Sequence, residues 1–382
     1  MHKNLKLGIT KFIATIMFLV CILSNVWSTN VFAKEYSNKE KNAIPNGKSV
    51  NIYLAGDSTV KSYGPTIDTG GWGEFLQSYF NSSKVTIRNY ANGGRSSRSF
   101  INEGSLDKIA SNIKSGDYLL IQFGHNDSAN QPKYVTERFV SVGQPDKNGI
   151  YPSIPAVKGQ TPEDLVGKYG DKYYPYTSGT YKWYLKQYID VARKVGATPI
   201  LVTSVSRQYF NADGTIKSLH DSTDTTTGTV VSSKNAYVNA VKQLGKEQGV
   251  KVIDMFSDTK SCFETAYRND PAAANGISPL AREIMDTNDL THNNKIGGFY
   301  NSALIANEIQ KLGYNISNYV IPPVNVNGIN SKNNLVFKVD SKSKVSIYKK
   351  NSNGVYTNDL DTYWTGKTKA LINKISSTAK HQ

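Results

Sequence analysis

Five short apolar runs recur along the chain, at 50–55, 85–90, 118–123, 199–203 and 250–255. Each has the length and β-branched content of a buried strand, and several end in Gly, Asp or Ser. Helical patterns separate them. In 183–195, Leu185, Tyr188, Ile189, Ala192 and Val195 return every three or four positions, and Gly196 stops the run. The stretches 236–244 and 299–312 behave alike, the second stopped by Gly313. Strands alternating with helices force parallel pairing, because parallel neighbours need a crossover connection. The pattern predicts a three-layer α/β/α sandwich over a five-stranded parallel sheet. Functional residues are then expected just past the carboxyl ends of the strands.

The ends of the chain differ from this body. Lys3, Lys6 and Lys11 lead into an apolar run over 12–23, and Val31-Phe32-Ala33 supplies a small-x-small cleavage site. That is the pattern of a secretory signal peptide over 1–33, with an uncleaved membrane anchor as the alternative. The run is too short to span a bilayer, and no other stretch is long and apolar enough. The mature protein is therefore expected outside the cell or on its wall, without stable membrane insertion. Residues 34–48 read as a linker, 49–318 as the catalytic domain and 319–382 as an appendage. The appendage opens on Ile321-Pro322-Pro323 and alternates like a hairpin over 335–350. Of the two cysteines only Cys262 survives cleavage, so no intrachain disulfide forms, and Cys262 reads as a small core residue. Much of the net charge of +15 sits in the tail, where residues 322–382 hold ten Lys against three Asp. Such a tail suits an anionic polymer, or is a solvated lysine-rich surface.

Four clusters carry chemistry. The first strand runs into Gly56-Asp57-Ser58-Thr59. A serine there exposes its hydroxyl at the sheet edge, and a helix starting directly after it favours negative charge. Asp and Ser also populate turns for structural reasons, so this tetrad alone is ambiguous. After the second strand, Asn92-Gly93-Gly94-Arg95 lets a backbone N–H approach a ligand closely, as a tetrahedral intermediate requires; a tight turn is the structural alternative. After the third, Gly124-His125-Asn126-Asp127 offers a side-chain amide as another donor, or an Asx turn. Finally, Asp289-Leu290-Thr291-His292 stands directly before the last helix. A carboxylate three residues ahead of a histidine can fold back onto its ring and leave the other nitrogen free as a base. His220 lies in a polar Asp/Thr-rich loop and His381 beside the terminus, which leaves His292 as the candidate base.

In order, Gly56-Asp57-Ser58, Gly94-Arg95-Ser96, Gly124-His125-Asn126-Asp127 and Asp289-x-x-His292 resemble the four blocks of the SGNH (GDSL-type) hydrolase superfamily, over roughly 50–313. Thr59, Gly71-Trp72-Gly73, Ser96-Ser97-Arg98-Ser99, Phe123 and Thr203-Ser204-Val205-Ser206-Arg207 are similar to its rhamnogalacturonan acetylesterase branch. The resemblance implies a flavodoxin-like sandwich, with Ser58 as nucleophile, His292 as general base and Asp289 orienting it. It implies oxyanion donors from the Ser58 and Gly94 N–H groups and the Asn126 side chain, and no metal or organic cofactor. The implied reaction removes acetyl groups from a polysaccharide, pectic rhamnogalacturonan first, through an acyl-enzyme.

Two segments lie outside that pattern. The stretch 131–180 lacks a period and holds Tyr134, Phe139, Tyr151, Tyr169, Tyr173, Tyr174 and Tyr176. Aromatic faces stack on sugar rings, so Tyr173, Tyr174 and Tyr176 are candidate saccharide contacts, unless the tyrosines only hold the stretch together. Arg95, Arg98 and Arg207 are candidate partners for uronate carboxylates, or members of salt bridges. Rival readings are a metal-dependent hydrolase using His125, Asp127, Asp289 and His292, and a non-catalytic glycan-binding wall protein. The first has no tight metal motif and leaves Gly56-Asp57-Ser58 idle; the second makes the Ser, Asn and His blocks coincidental. Within the esterases the alternative substrate is another O-acetylated polymer, xylan or a wall glycan. No nucleic-acid partner is expected, and the oligomeric state stays open.

Overall fold

The computed structural model describes residues 49–320 apart from 65, 66, 68, 130–133, 135, 136, 157–178, 221, 224–229, 233, 234, 271, 283, 287 and 288, and beyond them four strands within 328–357. These all belong to one compact unit, Ile44–Gln382. The signal segment 1–33, the linker 34–48 and Tyr169, Tyr173, Tyr174 and Tyr176 lie outside the described residues.

Five strands form the central sheet: β1 (Val50–Gly56), β2 (Val85–Asn89), β3 (Tyr118–Gln122), β4 (Thr198–Val202) and β5 (Val252–Ile253). Every pairing is parallel, in the order β2-β1-β3-β4-β5. This is the flavodoxin-like order, and it reverses between β1 and β3, where such sheets open a crevice at their carboxyl ends. Helices α1 (Trp72–Phe75), α2 (Ser97–Asn102), α3 (Ser105–Ala110), α4 (Tyr181–Val195), α5 (Ala236–Gln248), α6 (Met255–Asn269), α7 (Pro279–Arg282) and α8 (Lys295–Leu312) fill the connections. Side chains alternate across β1. Ile52 and Leu54 join Trp72, Phe299 and Ile305 in one core, while Tyr53 and Ala55 join Phe100, Tyr188 and Val241 in the other. One face of the sheet is thus covered by α1 and α8 and the opposite face by α2 to α5, giving the expected three layers.

Two local expectations are corrected. The last apolar run yields a strand of only two residues, because the Asp254 side chain accepts from Ser257 N–H and starts α6 at Met255. No helix follows Ser58: Val60 and Lys61 N–H both donate to Asp57 O, which closes a turn at Ser58 instead. Cys262 is half-buried beside Phe263 and Ala266. The tail contains a four-stranded antiparallel sheet, Gly328–Asn330, Leu335–Val339, Val345–Lys350 and Tyr356–Thr357, whose central pair is the hairpin expected over 335–350.

The described parts of the 131–180 stretch carry no long helix or strand, yet they are anchored. Val140, Val142 and Tyr151 are buried in the same core as α4 and α5, and Phe139 is itself buried. Phe139 and Tyr151 therefore hold this stretch to the body and offer no free face to a sugar.

Candidate active site

Ser58 sits in the turn past β1 and is 8% exposed. Its neighbours explain why the chain turns there. Asp57, fully buried, accepts from Thr59 N–H (2.9 Å) and Thr59 Oγ1–H (2.7 Å). Thr59 Oγ1 accepts from Gln122 Nε2 (2.6 Å) on β3, and Gln122 Oε1 accepts from Trp72 Nε1 (2.8 Å) on α1. Burial raises the pKa of Asp57, and the two Thr59 hydrogen bonds oppose that shift. From the other side, Tyr63 O–H donates to Ser58 O (3.0 Å) and Tyr63 N–H donates to Glu74 Oε2 (3.1 Å). Glu74 is ion-paired with Lys295, the first residue of α8, at 2.6 Å. One network thus ties the serine turn to the helix that follows His292.

That helix packs very closely. A Cβ on Gly298 would lie 2.6 Å from Gly70 O, so only glycine lets the first turn of α8 reach the loop before α1. Gly70 N–H also donates to Asn293 O (2.9 Å), and Asn294 caps the helix by accepting from Gly297 N–H (3.0 Å). His292 is delivered to Ser58 by this docking, across 234 residues of sequence. Ser58 Oγ–H donates to His292 Nε2 at 2.7 Å, and His292 Nδ1–H donates to Asp289 Oδ2. Asp289 Oδ1 also accepts from the N–H groups of Thr291 (2.5 Å) and His292 (3.1 Å). The carboxylate therefore folds back within one turn, as its spacing suggests.

Electrostatics follow from these bonds. The hydrogen bond to Asp289 holds the His292 imidazole above its ordinary 6.5, against the opposing effect of burial. Burial pushes Asp289 up, but its bonds to His292 and Thr291 outweigh that and bring it down to about 2. When the ring is neutral, the pair is an ionised carboxylate fixing an imidazole whose Nε2 faces the serine hydroxyl. Such a set can take the serine proton as the oxygen attacks a carbonyl.

The loops after β2 and β3 lie alongside. Gly94 has φ 77°, a conformation that favours glycine, and a Cβ on Gly93 would stand 3.9 Å from Ser58 Cβ. Asn126 Nδ2 donates to Arg95 O (3.1 Å), which fastens the third loop to the second. Asp127 is structural: Ser97 N–H (2.9 Å) and Oγ–H (2.5 Å) donate to its Oδ1, and burial still raises it to about 7. Ser96 caps α2 in a reciprocal box with Ser99. Hydrogen bonds thus join Ser58, His292 and Asp289, while Gly93 beside Ser58 and the Asn126–Arg95 bond bring the loops of Gly94 and Asn126 next to that turn.

The candidate substrate arginines fare differently. Arg98 is only 2% exposed and lies inside α2, which overturns its reading as a contact for an outside polymer. Arg95 binds Glu103 through Nε (2.8 Å) and Gly93 O through Nη1 (2.9 Å), so it braces the glycine loop. Arg207 is half-buried, with Nη2 donating to His125 O (3.4 Å). The proposed metal quartet does not assemble. His125 Nδ1 faces His220 Nε2 at 2.9 Å, Asp127 holds Ser97, and no group of three or more His, Cys, Asp or Glu among the described residues could hold an ion. The sequence did not place two further residues beside the site. His220 is buried against His125 despite its polar loop, and burial keeps both imidazoles well below their ordinary range. Arg138 reaches Asn126 from the aperiodic stretch, where no spacing pointed to it.

A serine, an imidazole and a carboxylate in series at the switch point of a 2-1-3-4-5 sheet define a hydrolase of the SGNH type. The pattern of the GDSL-like Lipase/Acylhydrolase family matches residues 52–303, and the chain belongs to that family of carboxylic ester hydrolases. Its similarity extends to curated relatives. It is 32% identical over 271 residues to the protein named "Probable rhamnogalacturonan acetylesterase YesY" of Bacillus subtilis, covering 71% of this chain and 97% of that one. Rhamnogalacturonan acetylesterase RhgT of the same organism is 32% identical over 279 residues, covering 72% of this chain and 95% of that one. The chain is a rhamnogalacturonan acetylesterase-like esterase.

Proposed function

We propose that this protein is a secreted serine esterase that removes acetyl groups from an O-acetylated polysaccharide, with acidic, pectic rhamnogalacturonan as the polymer. The observation that carries the chemistry is the unbroken series Asp289, His292, Ser58, closed by the 2.7 Å bond between His292 Nε2 and Ser58 Oγ. Ser58 Oγ attacks the acetyl carbonyl carbon while its proton passes to His292 Nε2. The oxyanion is met by the Ser58 and Gly94 N–H groups and Asn126 Nδ2. On collapse, His292 returns the proton to the sugar oxygen, which leaves as the free hydroxyl. Water then attacks the acetyl-Ser58 carbonyl while His292 accepts its proton; the acyl–Oγ bond breaks as His292 returns that proton to Ser58 Oγ, and the acetic acid released ionises to acetate.

The substrate class is supported by the names of the two relatives and by a cavity of ≈ 200 Å³ beside the catalytic loop. It is lined by Tyr209, Lys217, Ile277, Arg282 and Leu290 among others, with two cations and no carboxylate in the lining. Tyr209 and Ile277 are 42% and 59% exposed, and Leu290 lies between Asp289 and His292 in sequence. An exposed aromatic face with flanking cations suits an acidic sugar. Secretion rests on the basic, apolar and small-x-small pattern of 1–33.

Acetate release from acetylated rhamnogalacturonan, acetylated xylan and a synthetic acetyl ester tests this reading. The wild type is expected to act fastest on the pectic polymer, and Ser58→Ala to act on none. Replacing Lys217 and Arg282 together by Ala should raise KM on the pectic polymer and leave the synthetic ester unaffected. Faster release from xylan would move the substrate; no release by the wild type would leave only a glycan-binding role.

A further inference from the structure

Asn126 is useful as an oxyanion donor only if its amide is held with the nitrogen toward the reacting carbonyl. Two contacts fix that orientation. Asn126 Nδ2 donates one hydrogen to Arg95 O at 3.1 Å, and Arg138 Nη1 donates to Asn126 Oδ1 at 3.3 Å. A flipped amide would set its NH₂ against a guanidinium that cannot accept, and its oxygen against a carbonyl. The second Nδ2 hydrogen is then the one left for the oxyanion.

Arg138 is itself positioned. Its guanidinium lies over the Tyr134 ring at 4.1 Å, pairs with Glu137 at 2.9 Å, and stands 3.5 Å from where a Cβ on Gly94 would be. It therefore touches two of the three oxyanion-forming loops. The residues that follow lock its backbone in place. Phe139 and Val140 are buried, Val140 N–H donates to Asp127 O (2.9 Å), and Tyr237 O–H donates to Val140 O (2.7 Å). The Arg138 side chain is 18% exposed, so this charge-assisted bond is partly shielded from water.

We propose that Arg138, supplied by the aperiodic stretch after β3, is the positioning residue of the oxyanion site: it fixes and polarises the Asn126 amide so that Nδ2 faces the reacting carbonyl. The proposal rests on Asn126 being an oxyanion donor, as set out above. A small uncharged acetyl ester separates this role from polymer binding, because such a substrate offers Arg138 nothing else to hold. Arg138→Met keeps the stem and removes the fork. It should lower kcat with KM little changed, by a large part of the roughly 10²–10³-fold that loss of an oxyanion donor costs. Arg138→Lys, a single-point donor on a flexible stem, should recover only part of the rate. The Asn126→Ala and Arg138→Met losses should fail to multiply in the double variant, since both act through one amide.

The outcomes separate cleanly. If Asn126→Ala keeps full kcat, the donor assignment fails and the Arg138 role fails with it. If Asn126→Ala is slow but Arg138→Met keeps its kcat, raises only KM, or multiplies with Asn126→Ala, the Arg138 role alone is overturned. Thermal melting accompanies each variant. Should Arg138→Met not fold, Arg138→Lys carries the same test, with a lower kcat at constant KM as the supporting result and full kcat as the contrary one.

Discussion

At the scale of single residues, the chemistry depends on which protons sit where. His292 works as a base only when its ring is neutral, and its bond to Asp289 raises its pKa above the ordinary 6.5. The raised value means that the ring stays protonated to a higher pH, so kcat/KM should fall as pH drops through a point above 6.5. Asp289→Asn removes the largest cause of that shift. The acidic limb should then move to lower pH while kcat drops by roughly 10⁴-fold, as expected when the wrong tautomer is favoured. A pH–rate profile of the two proteins checks this, and an unmoved limb would contradict the assignment. At this scale the sequence was highly informative, because a serine and an amide past strand ends and an Asp-x-x-His before the last helix have chemical meaning before any coordinates exist. It set His220 aside as a polar-loop residue without foreseeing its burial, and it was silent on Arg138. Neither has a spacing partner in sequence, and buried His220 packs against His125 and Tyr237 at ring separations of 4.9 and 5.5 Å.

At the scale of elements, the serine turn is held by bonds between pieces distant in sequence. Thr59 is 4% exposed and joins β3 to the turn by accepting from Gln122 and donating to Asp57. Thr59→Val keeps the shape and removes both bonds. Leaving these buried groups unsatisfied should cost about 1–3 kcal/mol, read as a lower urea midpoint at constant m. A change within about 0.5 kcal/mol would mean that the buried chain from Trp72 to Asp57 contributes little. The same chain explains why Gly71-Trp72-Gly73 and Thr59 accompany one another. The missing helix after Ser58 was not legible, because the bonds from Val60 and Lys61 to the Asp57 carbonyl close a single helix-like turn that the chain does not continue. Nor was the brevity of β5, where Asp254 caps a helix in what reads as a continuous apolar run.

At the scale of the whole molecule, alternation of apolar runs and helical periods was enough to fix layers and parallel pairing. Strand order was not, since it is decided by which helix covers which face. The net charge of +15 also belongs to this scale. If it helps to gather an anionic polymer, raising the ionic strength should increase KM on acidic rhamnogalacturonan, because charges more than about 10 Å apart are screened at 0.1 M salt. Turnover of a neutral synthetic ester should be indifferent to the same salt. A KM on the acidic polymer that ignores salt would assign the lysines to solubility alone. The central claim, that Ser58 forms the covalent intermediate, is tested most directly by a fluorophosphonate, which labels only an activated serine. Intact-mass and peptide analysis should find one phosphonyl group per chain, on the peptide carrying Ser58, with activity lost in proportion. Ser58→Ala should take up none. A label on another residue, or undiminished activity in Ser58→Ala, would contradict the account.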